Sequence, residues 1–145
     1  MFAKRNADRR KIDTLASIGL FGACSRDQLT QLASMFDEVT RSAGSILTRE
    51  GEAGKEFFVI VDGSATASVS GTELATLGTG DFFGEMSLLD RAPRAATVTA
   101  TTELELLVAD ARSFFALVET APSVGMRMMR TMSERIRQIE AVPAY

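Results

Sequence analysis

The residues best suited to chemistry lie in a short stretch that contains Glu85 and Arg94. Gly84 allows a positive φ or a close backbone approach, and residues 85–89 suit a single helical turn. The first N–H groups of such a turn have no intrahelical acceptor and attract an anion. Pro93 ends any helical structure before it, and we expect Arg94 to open a strand. Because a guanidinium can bind two phosphate oxygens at once, this stretch predicts a phosphate site.

The carboxylate of Glu85 separates two kinds of ligand. It would repel a simple anion, but an ionised carboxylate accepts hydrogen bonds from hydroxyl groups, so a sugar phosphate fits both charged residues. The alternative is that Glu85 and Arg94 form an ion pair in a surface turn, where such pairs contribute little to stability, and that Gly84 serves only the bend. The residues by themselves leave both interpretations open.

The composition excludes several classes of function. The 145 residues include no histidine, which removes Ser/His and Cys/His nucleophile systems and the usual ligands of zinc, iron or copper. Cys24 is the single cysteine, so we expect no disulfide and a cytoplasmic protein. The net charge of -3 disfavours nucleic-acid binding, and no apolar run is long enough for a membrane span. We therefore expect neither an enzyme nor a metal or cofactor site.

A local cluster of positive charge stands near the start of the chain. It consists of Lys4, Arg5, Arg9, Arg10 and Lys11, with Asp8 among them. The cluster fits either an anionic partner or membrane surface, or a solvated helix face.

Three zones follow one another in what we expect to be a single domain over 1–145. Residues 1–36 are predicted to be helical, 37–109 to form β structure, and 110–141 to be helical again. Within the β zone, the run from Phe57 to Val61 is apolar at every position, as in a strand that is covered on both faces.

Turn signals divide the β zone into short strands. Asp62-Gly63 and Ser70-Gly71 are the dipeptides expected at hairpin turns, and Val98 and Ala100 alternate with threonines at the period of a strand. Many short strands at this turn density predict a mainly β fold, either a β-barrel or a jelly roll.

The last helix carries an apolar stripe. Asp110 can cap the first of two C-terminal helices, and Pro122 stands where the second would begin. In that second helix the stripe consists of Met129, Met132, Ile136 and Ile139. It could be a dimer seam, a lid over a ligand, or the face that packs on the barrel.

The stretch with Glu85 and Arg94 resembles the phosphate-binding cassette of the cyclic-nucleotide-binding domain family. The two blocks of the cassette are FGEMSLL at 83–89 and PRAATV at 93–98, at the family's spacing. The family's pattern of glycines around strands also matches Gly44, Gly51, Gly54 and Gly63. The resemblance implies an eight-stranded jelly-roll barrel with N-terminal helices, a cassette at 83–98 that contains a short helix, and two C-terminal helices.

The resemblance also implies roles for the cassette residues. Glu85 would accept a hydrogen bond from the ribose 2′-OH, with Gly84 beside it, and Arg94 would pair with the cyclic phosphate. The phosphate side would be completed by Met86, Ser87 and Ala95.

Relatives that select cGMP tend to carry threonine after the arginine, and here that position is Ala95. Since alanine offers guanine no hydroxyl, we expect cAMP as the ligand and weaker binding of cGMP. Ala67 and Val69 could line the purine pocket, and Arg135 could cover the purine face.

The function implied is that of a stand-alone cAMP sensor whose C-terminal helices move when the ligand binds. A protein partner or a second copy would then contact the last helix. The alternative is a degenerate domain of the same fold that serves protein–protein contact and binds no nucleotide.

Overall fold

The computed structural model describes residues 2–140, and side chains over 5–138. The chain divides into two compact units. A helical unit contains the residues up to Ala33 and those from Leu117 onward, and a β unit spans Ser34–Ala116.

Helices stand at both ends of the chain and the strands lie between them, with one short helix among the strands. The N-terminal helices are α1 (Phe2–Ser17), a short 3-10 helix (Gly19–Phe21) and α2 (Arg26–Ala33). The strands are β1 (Asp37–Arg41), β2 (Ile46–Thr48), β3 (Glu56–Asp62), β4 (Ala65–Val69), β5 (Thr72–Leu77), β6 (Phe82–Phe83), β7 (Thr97–Ala100) and β8 (Leu104–Asp110). The remaining helices are α3 (Glu85–Asp90), between β6 and β7, and α4 (Ala111–Thr120) and α5 (Pro122–Glu140) at the end.

The strands of the β unit form two antiparallel sheets of four strands each. Their orders are β1-β8-β3-β6 and β2-β7-β4-β5. This arrangement confirms the predicted mainly β jelly roll, with eight strands among residues 2–140.

Strand β3 is buried on both faces, as its unbroken apolar run predicts. Phe58 and Ile60 belong to the cluster that fills the space between the sheets, with Leu104 among their neighbours. On the opposite face, Phe57 packs against Phe114 of α4, with ring centroids 5.0 Å apart. Successive side chains of a strand point to opposite faces. Because β3 is covered by the cluster between the sheets on one face and by α4 on the other, apolar residues are needed at every position of the run.

One of the two predicted hairpins is wrong. Asp62-Gly63 connects β3 to β4, but these strands lie in different sheets and do not pair. Gly63 has a φ of 106°, and a Cβ there would lie 2.3 Å from the carbonyl oxygen of Glu103, so the glycine serves a crossing between sheets. The other hairpin is confirmed, because β4 and β5 pair across Ser70-Gly71.

Two helix starts have side-chain caps, and the one at Asp110 is the cap that the sequence predicted. The Gln28 N–H donates to Ser25 Oγ at 3.1 Å, and the Ser25 N–H donates to Gln28 Oε1 at 2.9 Å, which is a reciprocal capping box. At the start of α4, the Ser113 N–H donates to Asp110 Oδ1 at 2.8 Å, and this hydrogen bond lowers the pKa of Asp110.

The buried face of α5 is not the stripe that the sequence singled out. Val124 and Met128 are buried on this helix, whereas Met129 and Ile136 are more than half exposed. The packing interpretation of the stripe is therefore wrong for Met129 and Ile136, because the helix is rotated to bury a neighbouring row. Met132 is half-buried, and the side chain of Ile139 lies outside the described residues.

The basic cluster near the start of the chain lies on α1. Arg5, Arg9 and Arg10 are exposed and Lys11 is half-buried, while the side chain of Lys4 lies outside the described part. A solvated face accounts for this arrangement, and an anionic partner stays a prediction. Across residues 2–140, none of the helices combines the length and the apolar character that crossing a bilayer demands.

Candidate functional site

The predicted helical turn is present as α3, and the backbone conformation of Gly84 sets the direction in which the chain enters this helix. Gly84 has a φ of 94°, a conformation that side chains rarely adopt. A Cβ at Gly84 would lie 2.7 Å from the carbonyl oxygen of Glu56 and 3.0 Å from Nη1 of Arg94. The glycine is thus needed both for its backbone angle and for the close approach of β3 and the arginine.

Arg94 is buried, with 8% of its surface exposed. Its Nη1 donates to the carbonyl oxygen of Gly84 at 2.7 Å, and its Nη2 donates to that of Glu56 at 2.6 Å. The side chain therefore joins the start of α3 to the start of β3. Within the described residues these bonds use two of the five guanidinium donors.

The backbone of Arg94 is held by the loop between β2 and β3. Its N–H donates to the carbonyl oxygen of Glu52 at 2.8 Å, and its carbonyl oxygen accepts from the N–H of Gly51 at 2.9 Å. The expectation that Arg94 opens a strand is wrong, because β7 begins at Thr97. The loop takes the hydrogen bonds that a neighbouring strand would otherwise make.

The charges around Arg94 oppose the cost of its burial. Burial lowers the pKa of the guanidinium, while the negative charges of Glu56 and Glu85 act in the opposite direction. An arginine starts from so high a pKa that it stays protonated in such a site. The site therefore contains a permanent positive charge in a place with little water.

Glu85 is buried even more completely, with 3% exposed, and its Oε2 atom has almost no contact with solvent. An ion pair in an exposed surface turn would leave both partners accessible. Since Glu85 and Arg94 are both buried, that interpretation of the two residues is wrong. A buried carboxylate needs hydrogen-bond donors, and a ligand hydroxyl is one such donor.

The other cassette residues differ in their exposure. Ser87 is buried, Met86 is half exposed, and Ala95 is exposed. The structure thus brings Gly84, Glu85, Ser87 and Arg94 together, with Met86 and Ala95 at the surface beside them.

Gly54 belongs to the same site, and the sequence did not reveal that it does. A Cβ at Gly54 would lie 2.3 Å from Cβ of Ser87 and 2.9 Å from Nε and Cζ of Arg94. The sequence shows Gly54 only as one glycine among several near strand ends. Nothing in the local pattern separates a glycine that a turn needs from one against which an arginine packs.

The two residues predicted to contact the purine from β4 are Ala67 and Val69. They lie next to β7, the strand that follows Arg94 in the chain. Ala67 pairs with Val98 of β7, and its side chain packs against the cluster between the sheets. Val69 stands two residues further on and shares its face. Arg135 lies on α5 of the helical unit and is half-buried. Its predicted contact with a purine stays a prediction.

This arrangement suits the binding of a small ligand with an anionic group and hydroxyl groups. Arg94 and the first N–H groups of α3 supply donors, and Glu85 supplies an acceptor. Among the residues that the structure describes, no group of three or more His, Cys, Asp or Glu side chains could hold a metal ion. The fold and site together define a jelly-roll domain for binding a sugar phosphate.

Comparison with known proteins specifies the family. Residues 38–121 match the family model described as cyclic nucleotide-binding domain. The chain belongs to the cyclic-nucleotide-binding domain family, as its cassette predicted.

The relatives include channels and kinase subunits. The chain is 33% identical over 126 residues to a cyclic nucleotide-gated potassium channel of Rhizobium etli, with 87% of this chain and 35% of the channel covered. It is 33% identical over 120 residues to a cAMP-dependent protein kinase regulatory subunit of Schizosaccharomyces pombe, with 80% and 29% covered. The chain thus spans about a third of the length of these curated relatives.

A solved structure is similar in fold and in overall sequence. It is described as cAMP-bound PfPKA-R and superposes with a TM-score of 0.82 at 28% identity. The match covers 90% of this chain and 45% of that one.

We expect Gly54→Ala to lower the free energy of unfolding by about 1–3 kcal/mol, the usual cost of overpacking a tight site. The added methyl group would displace Ser87 or Arg94. Gly78→Ala is the matched control, because a Cβ at Gly78 meets nothing within 4 Å. Denaturant unfolding of both variants measures the difference. Equal unfolding midpoints for the two variants would show that Gly54 is not in close contact with the arginine.

Proposed function

We propose that this domain is a cAMP sensor in which Glu85 and Arg94 hold the ribose and the cyclic phosphate. The observation that carries the proposal is the burial of both charged side chains within one cassette. The family membership and the cAMP-bound neighbour support it.

The phosphate would be bound by Arg94 and by backbone donors. The guanidinium donors that do not bond to Gly84 and Glu56 can take phosphate oxygens. The N–H groups of Gly84, Ser87 and Ala95 would add further donors, with Met86 packed alongside. Because Arg94 is already fixed by two carbonyl groups, its conformational entropy is lost before the ligand arrives, which favours binding.

The ribose would be bound by Glu85, whose carboxylate accepts from the 2′-OH, with Gly84 beside it. A buried carboxylate gains more from such a hydrogen bond than an exposed one, because no water competes for it. This step would distinguish a ribonucleotide from its deoxy analogue.

The base would be bound less specifically than the sugar and the phosphate. Ala67 and Val69 would offer an apolar strand face to the purine, and Arg135 would stack on the exposed face of the ring. Ala95 lacks a hydroxyl that could bond to guanine, so cAMP would bind more tightly than cGMP.

Ligand binding would be transmitted to the C-terminal helices. The ligand would act by changing the relative populations of two helix positions. The exposed Met129 and Ile136 of α5 would then meet a protein partner or a second copy of the chain. The domain would act without catalysis, and its cytoplasmic location stays a prediction.

We expect Arg94→Ala to weaken cAMP binding by about 2–5 kcal/mol, the range for truncating one member of a buried charge pair. Arg41→Ala removes the same charge from an exposed position on β1 and serves as the control. Calorimetric titration of both refolded variants gives the two dissociation constants. An unchanged constant in Arg94→Ala would contradict the phosphate assignment.

A second prediction isolates the ribose contact. Glu85→Gln should weaken binding of cAMP by about tenfold or more, the worth of a hydrogen bond to a charged group. It should weaken binding of 2′-deoxy-cAMP much less, since that ligand has no hydroxyl to lose. A general loss of folding would reduce both affinities together, so equal losses for the two ligands would remove Glu85 from the ribose site.

A further inference from the structure

Glu50 connects three segments of the β unit through one side chain. Both of its carboxylate oxygens accept from the N–H of Ser70, at 3.1 and 3.0 Å. Oε1 also accepts from the hydroxyl of Thr97 at 3.2 Å, and the same hydroxyl accepts from the N–H of Glu50 at 3.2 Å. The side chain therefore joins the loop after β2, the β4–β5 turn and the start of β7.

The turn that Glu50 holds has an uncommon backbone. Ser70 and Gly71 have φ values of 51° and 79°, which makes this a two-residue hairpin with both central residues in the left-handed region. A serine is unusual in that region, where glycine, asparagine or aspartate is preferred. The two carboxylate contacts to the Ser70 N–H offset this strain and fix the end of β4.

The same loop reaches the phosphate side of the site. Glu50 is followed by Gly51 and Glu52, whose backbone groups bond to the carbonyl oxygen and N–H of Arg94. Three consecutive residues thus hold the turn next to Val69 and the backbone of the arginine. A shift of the β4–β5 turn would therefore also displace the backbone of Arg94.

We propose that Glu50 is the positioning residue that fixes the β4–β5 hairpin as the wall of the base pocket and keeps it in register with Arg94. Glu50 does not touch the ligand in this proposal. The proposal rests on the proposed function, because it assigns the base to the strand that carries Ala67 and Val69.

Electrostatics and positioning predict opposite effects of removing this charge. A carboxylate near an anion site opposes binding of a phosphate, so loss of its charge alone would strengthen the binding of every cyclic nucleotide. Loss of its hydrogen bonds would loosen the hairpin and weaken binding. Glu50→Gln keeps the size of the side chain but replaces one acceptor oxygen by an amide group that only donates.

The test measures binding to the refolded full chain by displacement of a fluorescent cAMP analogue. Glu50→Gln should bind cAMP about tenfold more weakly than the unmodified chain, as expected for the loss of hydrogen bonds to a charged group. Cyclic CMP, whose single ring reaches less of the hairpin, should lose clearly less. Glu105→Gln, an equal charge change at an exposed position of β8 in the other sheet, should not weaken either ligand.

Thr97→Val provides a second variant that keeps the shape and removes one partner of Glu50. It should give the same pattern as Glu50→Gln with a smaller loss for cAMP. Unchanged or tighter cAMP binding in Glu50→Gln would overturn the proposal. So would equal losses for cAMP and cyclic CMP, which a merely structural role would produce.

Amide hydrogen exchange separates this proposal from the proposed function. In the ligand-free protein, the Ser70 amide should exchange faster in Glu50→Gln than in the unmodified chain, with the amides of β3 and β8 unchanged. If the unmodified chain bound no cyclic nucleotide, the proposed function and the base-pocket role would both fail. Unchanged Ser70 exchange would overturn the hairpin contact itself.

Discussion

A buried guanidinium must be surrounded by acceptors, because an unpaired charge in a protein interior costs several kcal/mol. In this domain the carbonyl groups of Gly84 and Glu56 surround Arg94, and its backbone is held by the loop after β2. Such close approach requires small residues, which accounts for Gly54 and Gly84. The bend into α3, the loop before β3 and the start of β3 are all arranged around this one charge.

Much of the fold could be predicted from the sequence, because local patterns determine it. The apolar run of β3, the alternation in β7 and the cap at Asp110 each depend on neighbours within a few residues, and each prediction is confirmed. The hairpin predicted at Asp62-Gly63 is wrong because a turn signal gives the bend but not the sheet that the next strand joins. The buried face of α5 could not be predicted, since methionine and isoleucine at helical spacing fit a buried or an exposed stripe equally well.

The site was predictable to the extent that it lies in one segment. Glu85 and Arg94 are close in sequence, so their chemistry could be read together. Gly54 and the Glu56 carbonyl enter the site from other segments of the chain, and only the three-dimensional arrangement shows that they touch Arg94. The contacts of Glu50 with Ser70 and Thr97 are visible only there as well. Two backbone carbonyl groups hold the arginine, and because every residue has such a group, the sequence does not show which ones do so. The base contacts are the least predictable part, since apolar residues on a strand face fit many ligands.

The central claim is that the buried charges of this cassette form a working nucleotide site with a preference for adenine. Calorimetric titration with cAMP and with cGMP tests it most directly, after unfolding and refolding the protein to remove nucleotide carried through purification. The account predicts saturable one-to-one binding, with a lower dissociation constant for cAMP. Absence of both heat and thermal stabilisation with either nucleotide would contradict the account and favour a domain that keeps the fold for protein contact.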